Sequence, residues 1–162
     1  MTQRNTRRSV SIDEMMFIDA FERDTDFQDI SPQSAYLDLE TGNVIWVFEE
    51  DEDAEFYAGI KSDENRDIRE RIAASPENYL EVPGRDHSEH HKILQEFLSS
   101  GWTEDKDLIH RAREAYSGSI GRWKEEVDDE RAVRSYYDFR EKKIRQLAEE
   151  YLREHHIEPN WR

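Results

Sequence analysis

Ala35-Tyr-Leu-Asp-Leu-Glu-Thr-Gly-Asn-Val-Ile-Trp-Val-Phe48 is the stretch on which the fold turns. Ala35 to Leu39 and Val44 to Phe48 are rich in aromatic and β-branched residues, the side chains that suit a pleated, half-buried surface. Between them Glu40-Thr41-Gly42-Asn43 supplies turn chemistry, with Gly42 fitted to the left-handed position that closes a three-residue hairpin loop with a bulge. The pattern predicts two antiparallel strands in which Leu37 faces Ile45 and Ala35 faces Val47. Tyr36 then lies opposite Trp46, and Asp38 beside Val44. Both faces carry apolar groups, so both are expected to be at least partly covered.

Upstream, Ser11-Ile12-Asp13-Glu14 has the form of a capping box, and Met15, Ile18 and Phe21 follow at spacings of three. A short helix to about Glu22 is expected there. Met1 to Val10 is polar, basic and aperiodic, which reads as a disordered tail. Downstream, the acidic run Glu49 to Glu55 reads as a loop, and Asn65 to Ala74 as a short helix stopped before Pro76. Tyr79-Leu-Glu-Val82 alternates and ends at Pro83, predicting a third strand beside the hairpin. The remainder is helical in pattern. One helix starts at Asp86 or Ser88, carries Ile93, Leu94 and Phe97, and stops at Gly101. Another is capped by Thr103, with Leu108, Ile109 and Ala112 inside. A short turn after Gly118 holds Ile120 and Trp123. From Asp129 to about His155 a long helix places Val133, Tyr137, Ile144, Leu147, Tyr151 and Leu152 along one stripe. These elements predict an α+β fold: a small antiparallel sheet of about three strands, including the hairpin, packed against several helices with a long C-terminal helix. One domain is expected over 11–157, with residues 1–10 and 158–162 as tails.

The 162 residues include 39 acidic and 23 basic side chains, a formal charge of −16. Such a surface repels nucleic-acid phosphates unless its cations cluster, so duplex nucleic acid is not an expected partner. The absence of cysteine excludes disulfides, zinc thiolate sites and thiol nucleophiles. The longest uncharged apolar run, Val44 to Phe48, is far short of a membrane span, and no apolar segment follows the basic N-terminus as it would in a signal peptide. A cytoplasmic location away from membranes is the resulting expectation.

Among motifs, Leu37-Asp-Leu-Glu-Thr-Gly42 resembles the opening of the DnaQ-type 3′–5′ exonucleases, where an Asp-x-Glu pair holds catalytic Mg²⁺. Two-metal chemistry needs further converging carboxylates. No His-x5-Asp, His-x3-Asp or Tyr-x3-Asp occurs in this chain, and a return strand follows the Thr-Gly at once, so the motif reads as a hairpin tip. His87 and His91 share a helix face at i,i+4 spacing with His90, Glu89 and Glu96 nearby, but a third metal ligand is not evident. Phosphate loops, dinucleotide fingerprints and nucleophile elbows are missing from the sequence. Accordingly no catalytic residue, metal ligand or cofactor is assigned.

Two basic–aromatic groups stand out in this acidic chain, Ile120-Gly-Arg-Trp-Lys124 and Tyr136-Tyr-Asp-Phe-Arg140. Arg122, Trp123, Lys124, Tyr137 and Arg140 are the candidate binding residues, since cations and rings together recognise carboxylates, phosphates or bases. The competing reading is a helix–helix contact with Trp123 and Phe139 in the core and the cations at its edge.

The segments Tyr36 to Val44, Tyr79 to Pro83 with Phe97 beyond, Gly118 to Val127, and Tyr137-x-Phe139-Arg140 running to Ile157 together resemble a bacterial family of small acidic proteins. It carries a Leu-Asp-Leu-x-Thr-Gly-x-Val hairpin and a Phe-Arg-x-Phe-Lys turn, and is registered only as an uncharacterised protein family. This chain departs from the turn pattern, with Ile120 and Gly121 where the family has an aromatic residue. The resemblance implies a shared fold and brings no activity. The functional expectation is a non-enzymatic binding or adaptor module with a protein partner. The alternative is a metal-assisted phosphoesterase or nuclease-like hydrolase using Asp38 and Glu40, with His87 or other carboxylates.

Overall fold

The computed structural model describes residues 7–27 and 33–162. In chain order these form β1 (Arg8–Ile12), α1 (Glu14–Glu22), β2 (Gln33–Asp38), β3 (Val44–Phe48), α2 (Asp51–Ala58), α3 (Ser62–Ala74), β4 (Tyr79–Val82), α4 (His87–Leu98), α5 (Lys106–Glu114), α6 (Ile120–Glu126), α7 (Glu130–Glu154) and β5 (Ile157–Trp161). The fold is α+β. A three-stranded antiparallel sheet in the order β3-β2-β4 contains the hairpin, and β1 and β5 form a separate two-stranded parallel sheet. The described residues fall into two compact units. The described residues up to Arg85 join Leu147–Arg162 in the first, and Asp86–Gln146 make the second.

In the first unit, β4 joins β2 as the sequence suggests, with Ala35 opposite Val82 and Leu37 opposite Leu80. The hairpin register differs from the expected one by a single residue: Leu37 faces Val44, Tyr36 faces Ile45 and Ala35 faces Trp46. Asp38 is the reason. Its Oδ1 accepts the amides of Glu40 at 2.9 Å and Thr41 at 3.3 Å, its N–H donates to the Asn43 carbonyl, and its own carbonyl accepts from Gly42. Asp38 thereby closes a loop over Leu39–Gly42, one residue longer than the bulged turn.

The ends of the chain hold the largest departure. Arg8–Val10 and Glu158–Trp161, expected as tails, pair in the parallel ribbon with Arg8 opposite Ile157 and Ile12 opposite Trp161. Residues 1–6 of the expected tail lie outside the described residues. Val10 and Ile12 alternate with polar neighbours and are buried, so the strand period runs across the boundary between the expected tail and the expected helix cap. Pro159 is tolerated because a two-stranded ribbon leaves each strand an edge where no donor is required. Since Ser11 belongs to β1, the cap of α1 is Asp13, whose side chain accepts from the Met16 amide at 3.0 Å.

The ribbon and the hairpin tip meet at Gly42. Its carbonyl accepts from the Asp13 amide at 2.9 Å, and Arg162 reaches the Asn43 side chain at 2.7 Å. Gly42 is buried with φ +74°, and a Cβ built on it would lie 1.6 Å from the Ser11 carbonyl oxygen. Only glycine satisfies both the dihedral and the contact.

The acidic run expected as a loop begins α2. Asp51, Glu52 and Asp53 in the first turn suit the positive end of the helix, and Gly59 at φ +66° ends it with its amide on the Glu55 carbonyl. Helix α3 anchors β3 through buried Asn65, which accepts from the Phe48 N–H at 2.9 Å and donates to the Phe48 carbonyl at 3.0 Å. Phe17 and Phe21 of α1 stack at 6.0 Å, and the C-terminal turns of α7 bury Ala148 and Leu152.

In the second unit, α4 is capped by Asp86 and α5 by Asp105 rather than Thr103. The buried stripe on the long helix runs through Ala132, Tyr136 and Ile144, so Tyr136 points inward and Tyr137 is 46% exposed. Replacing Gly42 with Ala forces both a left-handed alanine and displacement of the Ser11 carbonyl. It is expected to cost about 3 kcal/mol or more and lower Tm by on the order of 10 °C. A thermal melt of Gly42→Ala that overlays the parent contradicts this account of the junction.

Candidate binding site

The expected binding residues converge on the second unit, where α6 turns into α7. Gly118 at φ +97° ends the preceding segment, and the Ser119 hydroxyl accepts from the Arg122 amide to start α6. Trp123, at the middle of this helix, is fully buried. Its indole N–H donates to the Ala112 carbonyl at 2.9 Å, and its ring meets Phe97 and Tyr136 edge-on at 6.1 and 5.4 Å. Of the two readings of Trp123 the geometry gives the core. It is no part of a binding surface.

Val127 is buried at the end of α6, and Asp128 takes φ +45° to redirect the chain. Asp129 then stands at the start of α7. Its Oδ1 accepts from the amides of Arg131 and Ala132 at 2.9 and 3.2 Å, and its Oδ2 accepts from Arg131 and Arg111. The Arg131 guanidinium, with help from these amides, holds the Asp129 carboxyl below the usual carboxylate range.

Between the end of α6 and the first turns of α7 lies an open cleft of about 570 Å³, lined by Lys124, Asp128, Asp129, Glu130, Val133, Arg134, Tyr137 and Asp138. Lys124 Nζ donates to the Tyr137 hydroxyl at 2.8 Å and lies 5.3 Å from the ring centroid. The hydrogen bond and the ring's own radius out to its oxygen account for nearly all of that distance. The ammonium therefore sits at the hydroxyl edge, near the ring plane, and does not cover the π face. Asp128, Glu130 and Asp138 hold no ion pair or side-chain hydrogen bond among the described residues, whereas Asp129 is fully engaged.

Lys124 and Tyr137 are thus brought together as the sequence suggests. Arg122 is exposed on α6 without lining the cleft. Arg140 is half-buried near Tyr136, whose phenol burial pushes up and Arg140 partly draws back. The acidic side of the cleft is absent from the sequence reading. Asp128-Asp129 just before a strong helix was its one visible signal, as a helix-start pair.

The remaining candidates have other roles. Asp38 spends one carboxylate oxygen on turn amides, and Glu40 is exposed beside it. Among the described residues no group of three or more His, Asp or Glu side chains is placed to hold a metal ion. The rings of His87 and His91 lie 4.0 Å apart on one face of α4. His91 is buried, with Nδ1 at 2.5 Å from the Tyr116 hydroxyl. His156, at φ +62°, turns the chain from α7 into β5.

No family model, no curated protein and no solved structure matches this chain. Among the described residues no helix is long and apolar enough to cross a membrane.

Trp123→Ala should cost about 3–5 kcal/mol, the range for a buried large aromatic, while Arg122→Ala should stay within about 0.5 kcal/mol. Chemical unfolding of the two variants measures the contrast, and equal effects would refute the core assignment.

Burial first, and then His87, depress the His91 pKa below the ordinary histidine value. The fold favours the neutral ring. The stability this contributes is therefore complete above the ordinary value and is lost as pH falls through the depressed one. Tm should fall between about pH 7 and pH 5, and His91→Gln should remove part of that slope. An unchanged slope would assign it to other groups.

Proposed function

We propose that this protein is a non-enzymatic binding module of the cytoplasm whose α6–α7 cleft receives a lysine or arginine side chain from a basic segment of a protein partner. The observation that carries the reading is the half-exposed ring of Tyr137 in the lining of the cleft, together with three carboxylates that form no ion pair among the described residues. A cation entering the cleft meets attraction from Asp128, Glu130 and Asp138 and a ring face on which to rest. Val133 offers apolar contact for the aliphatic stem. Four carboxylates against Lys124 and Arg134 make the lining acidic on balance, in keeping with the net charge of −16. The same balance disfavours duplex nucleic acid.

The hydrolase alternative draws less support. Asp38 is committed to its turn, and neither His87 nor another carboxylate completes a metal group among the described residues. The motif resemblance to the uncharacterised family brings no activity of its own and leaves the reading to the geometry.

The test uses an Arg- and Lys-rich peptide of about eight residues, with glycine and serine spacers, at low salt. Backbone amide resonances of Glu130, Tyr137 and Asp138 should shift on titration, with Kd in the range of tens to hundreds of micromolar. The triple variant Asp128→Asn, Glu130→Gln, Asp138→Asn should weaken binding about tenfold, and Tyr137→Leu by about threefold, with melting curves close to the parent. Undiminished binding by the triple variant, or preference for an acidic peptide, would overturn the proposal.

A further inference from the structure

The first unit carries an apolar surface of its own that the cleft reading does not use. Helix α2 is short and buries Ala54, yet it presents Phe56 at 80% and Tyr57 at 49% exposure, their rings edge-to-face at 4.7 Å. A phenylalanine that exposed leaves most of its transfer free energy unrealised, and two such rings together are uncommon on a surface without a partner. Next along the chain the left-handed Gly59 turns Ile60 back, with its amide on the Ala54 carbonyl at 3.1 Å. Ala58 and Ile60 then close a hollow of about 290 Å³ with Gln33, Trp46 and Phe48. Asn65 pins both backbone groups of Phe48, so the floor of the hollow is fixed in place.

Charge decides what fits. Five consecutive acids, Glu49 to Asp53, lead into the helix, and Glu49, Glu50 and Glu52 are exposed. Asp51 is paired with Arg69 at 2.8 Å, and Glu55 accepts from the Ser62 hydroxyl. An anionic lipid surface would be repelled by this margin, and a second copy would bring the same acids against it. A basic chain that also carries apolar side chains is attracted by both halves of the surface.

We propose that α2 and the adjoining hollow dock a basic amphipathic segment of a partner protein, with an aliphatic or aromatic side chain seated against Trp46, Phe48 and Ile60 and its cations along Glu49, Glu50 and Glu52. Phe56 and Tyr57 lie outside the lining of the hollow and offer the segment a second apolar contact along α2. This surface stands independently of the α6–α7 cleft and makes the protein a module with two docking sites.

The probe is a synthetic peptide of about twelve residues with Leu at helical spacing and Lys or Arg elsewhere, titrated by calorimetry and by the methyl resonance of Ile60. Measurements are made on the full chain carrying the Asp128→Asn, Glu130→Gln, Asp138→Asn changes, so that binding at the cleft does not enter. Two control peptides replace Lys and Arg with Glu, or Leu with Ser. The basic amphipathic peptide should bind with Kd in the tens of micromolar and move the Ile60 methyl. Each control should bind at least about tenfold more weakly. The double variant Phe56→Ala, Tyr57→Ala should show the same tenfold loss with an unchanged melt, because both rings are exposed. Glu49→Gln, Glu50→Gln, Glu52→Gln should lose affinity without changing the fold. Four results would overturn the proposal: equal affinity in the aromatic double variant, equal binding of the acidic control, flotation with anionic vesicles lost on Phe56→Ala, or a sedimenting dimer abolished by Phe56→Ala.

Discussion

The approach of Gly42 to the Ser11 carbonyl governs the first unit. It brings together a hairpin tip and a ribbon made from the two ends of the described chain, segments that local sequence does nothing to associate. The Asp13 amide on the Gly42 carbonyl and the Arg162 guanidinium on Asn43 hold the same junction from either side. Because the tip is fixed there, the loop has one acceptable length, and that length sets the register of β2 on β3. The carboxylate of Asp38 has its role from this constraint. An Asp-x-Glu pair that resembles a metal site in sequence becomes, in this setting, the device that closes a turn.

The elements legible in the sequence are those whose signals are local. The two hairpin strands, β4 ending just before Pro83, α4 after Asp86 and the long α7 all carry their periodicity and boundaries within a few residues of themselves. The parallel pairing of β1 with β5 does not, since its partners are separated by nearly the whole chain. Arg8-Ser-Val-Ser-Ile12 has the alternation of a strand, but Ser11 beside Asp13 and Glu14 also has the form of a helix cap, and the competition was settled by a partner strand at the far end. Helix α2 was hidden for a different reason. Its first turn consists of acids that read as a solvated run, while at a helix N-terminus the same acids are stabilising.

At the cleft the aromatic and basic half is legible in the sequence and the acidic half is not. Lys124 and Tyr137 stood out because such residues are scarce in an acidic chain. Asp128, Glu130 and Asp138 did not, because carboxylates are everywhere in it. Their significance lies in which ones lack a cation, and that is a property of geometry alone. Adjacent residues on α7 also divide by orientation. A rotation of about 100° between neighbours places Tyr136 against Trp123 and Phe97 and leaves Tyr137 facing the cleft. Of the expected stripe Ile144 and Leu152 are buried, and Tyr136 takes the core place expected of Tyr137.

The acidity of the chain serves local structure before it serves recognition. Asp129 binds the first amides of α7, and Asp51 joins Asn65 and Arg69 where α2 begins. Carboxylates satisfied in this way are screened by their own partners and contribute little to an outward field. The field that reaches an approaching molecule comes from the ones left over: Glu49, Glu50 and Glu52 in the run that leads into α2, the helix that carries Phe56 and Tyr57, and Asp128, Glu130 and Asp138 in the lining of the cleft with Tyr137. A carboxylate alone prefers water to any single ligand cation, because its hydration is nearly as favourable as the pair. A ring at its side supplies an apolar face to the same incoming chain, so that desolvating the cation's stem is favourable while its charge remains paired. Among the described residues it is this combination of unpaired acid and exposed ring, and not the net charge, that sets two parts of the surface apart.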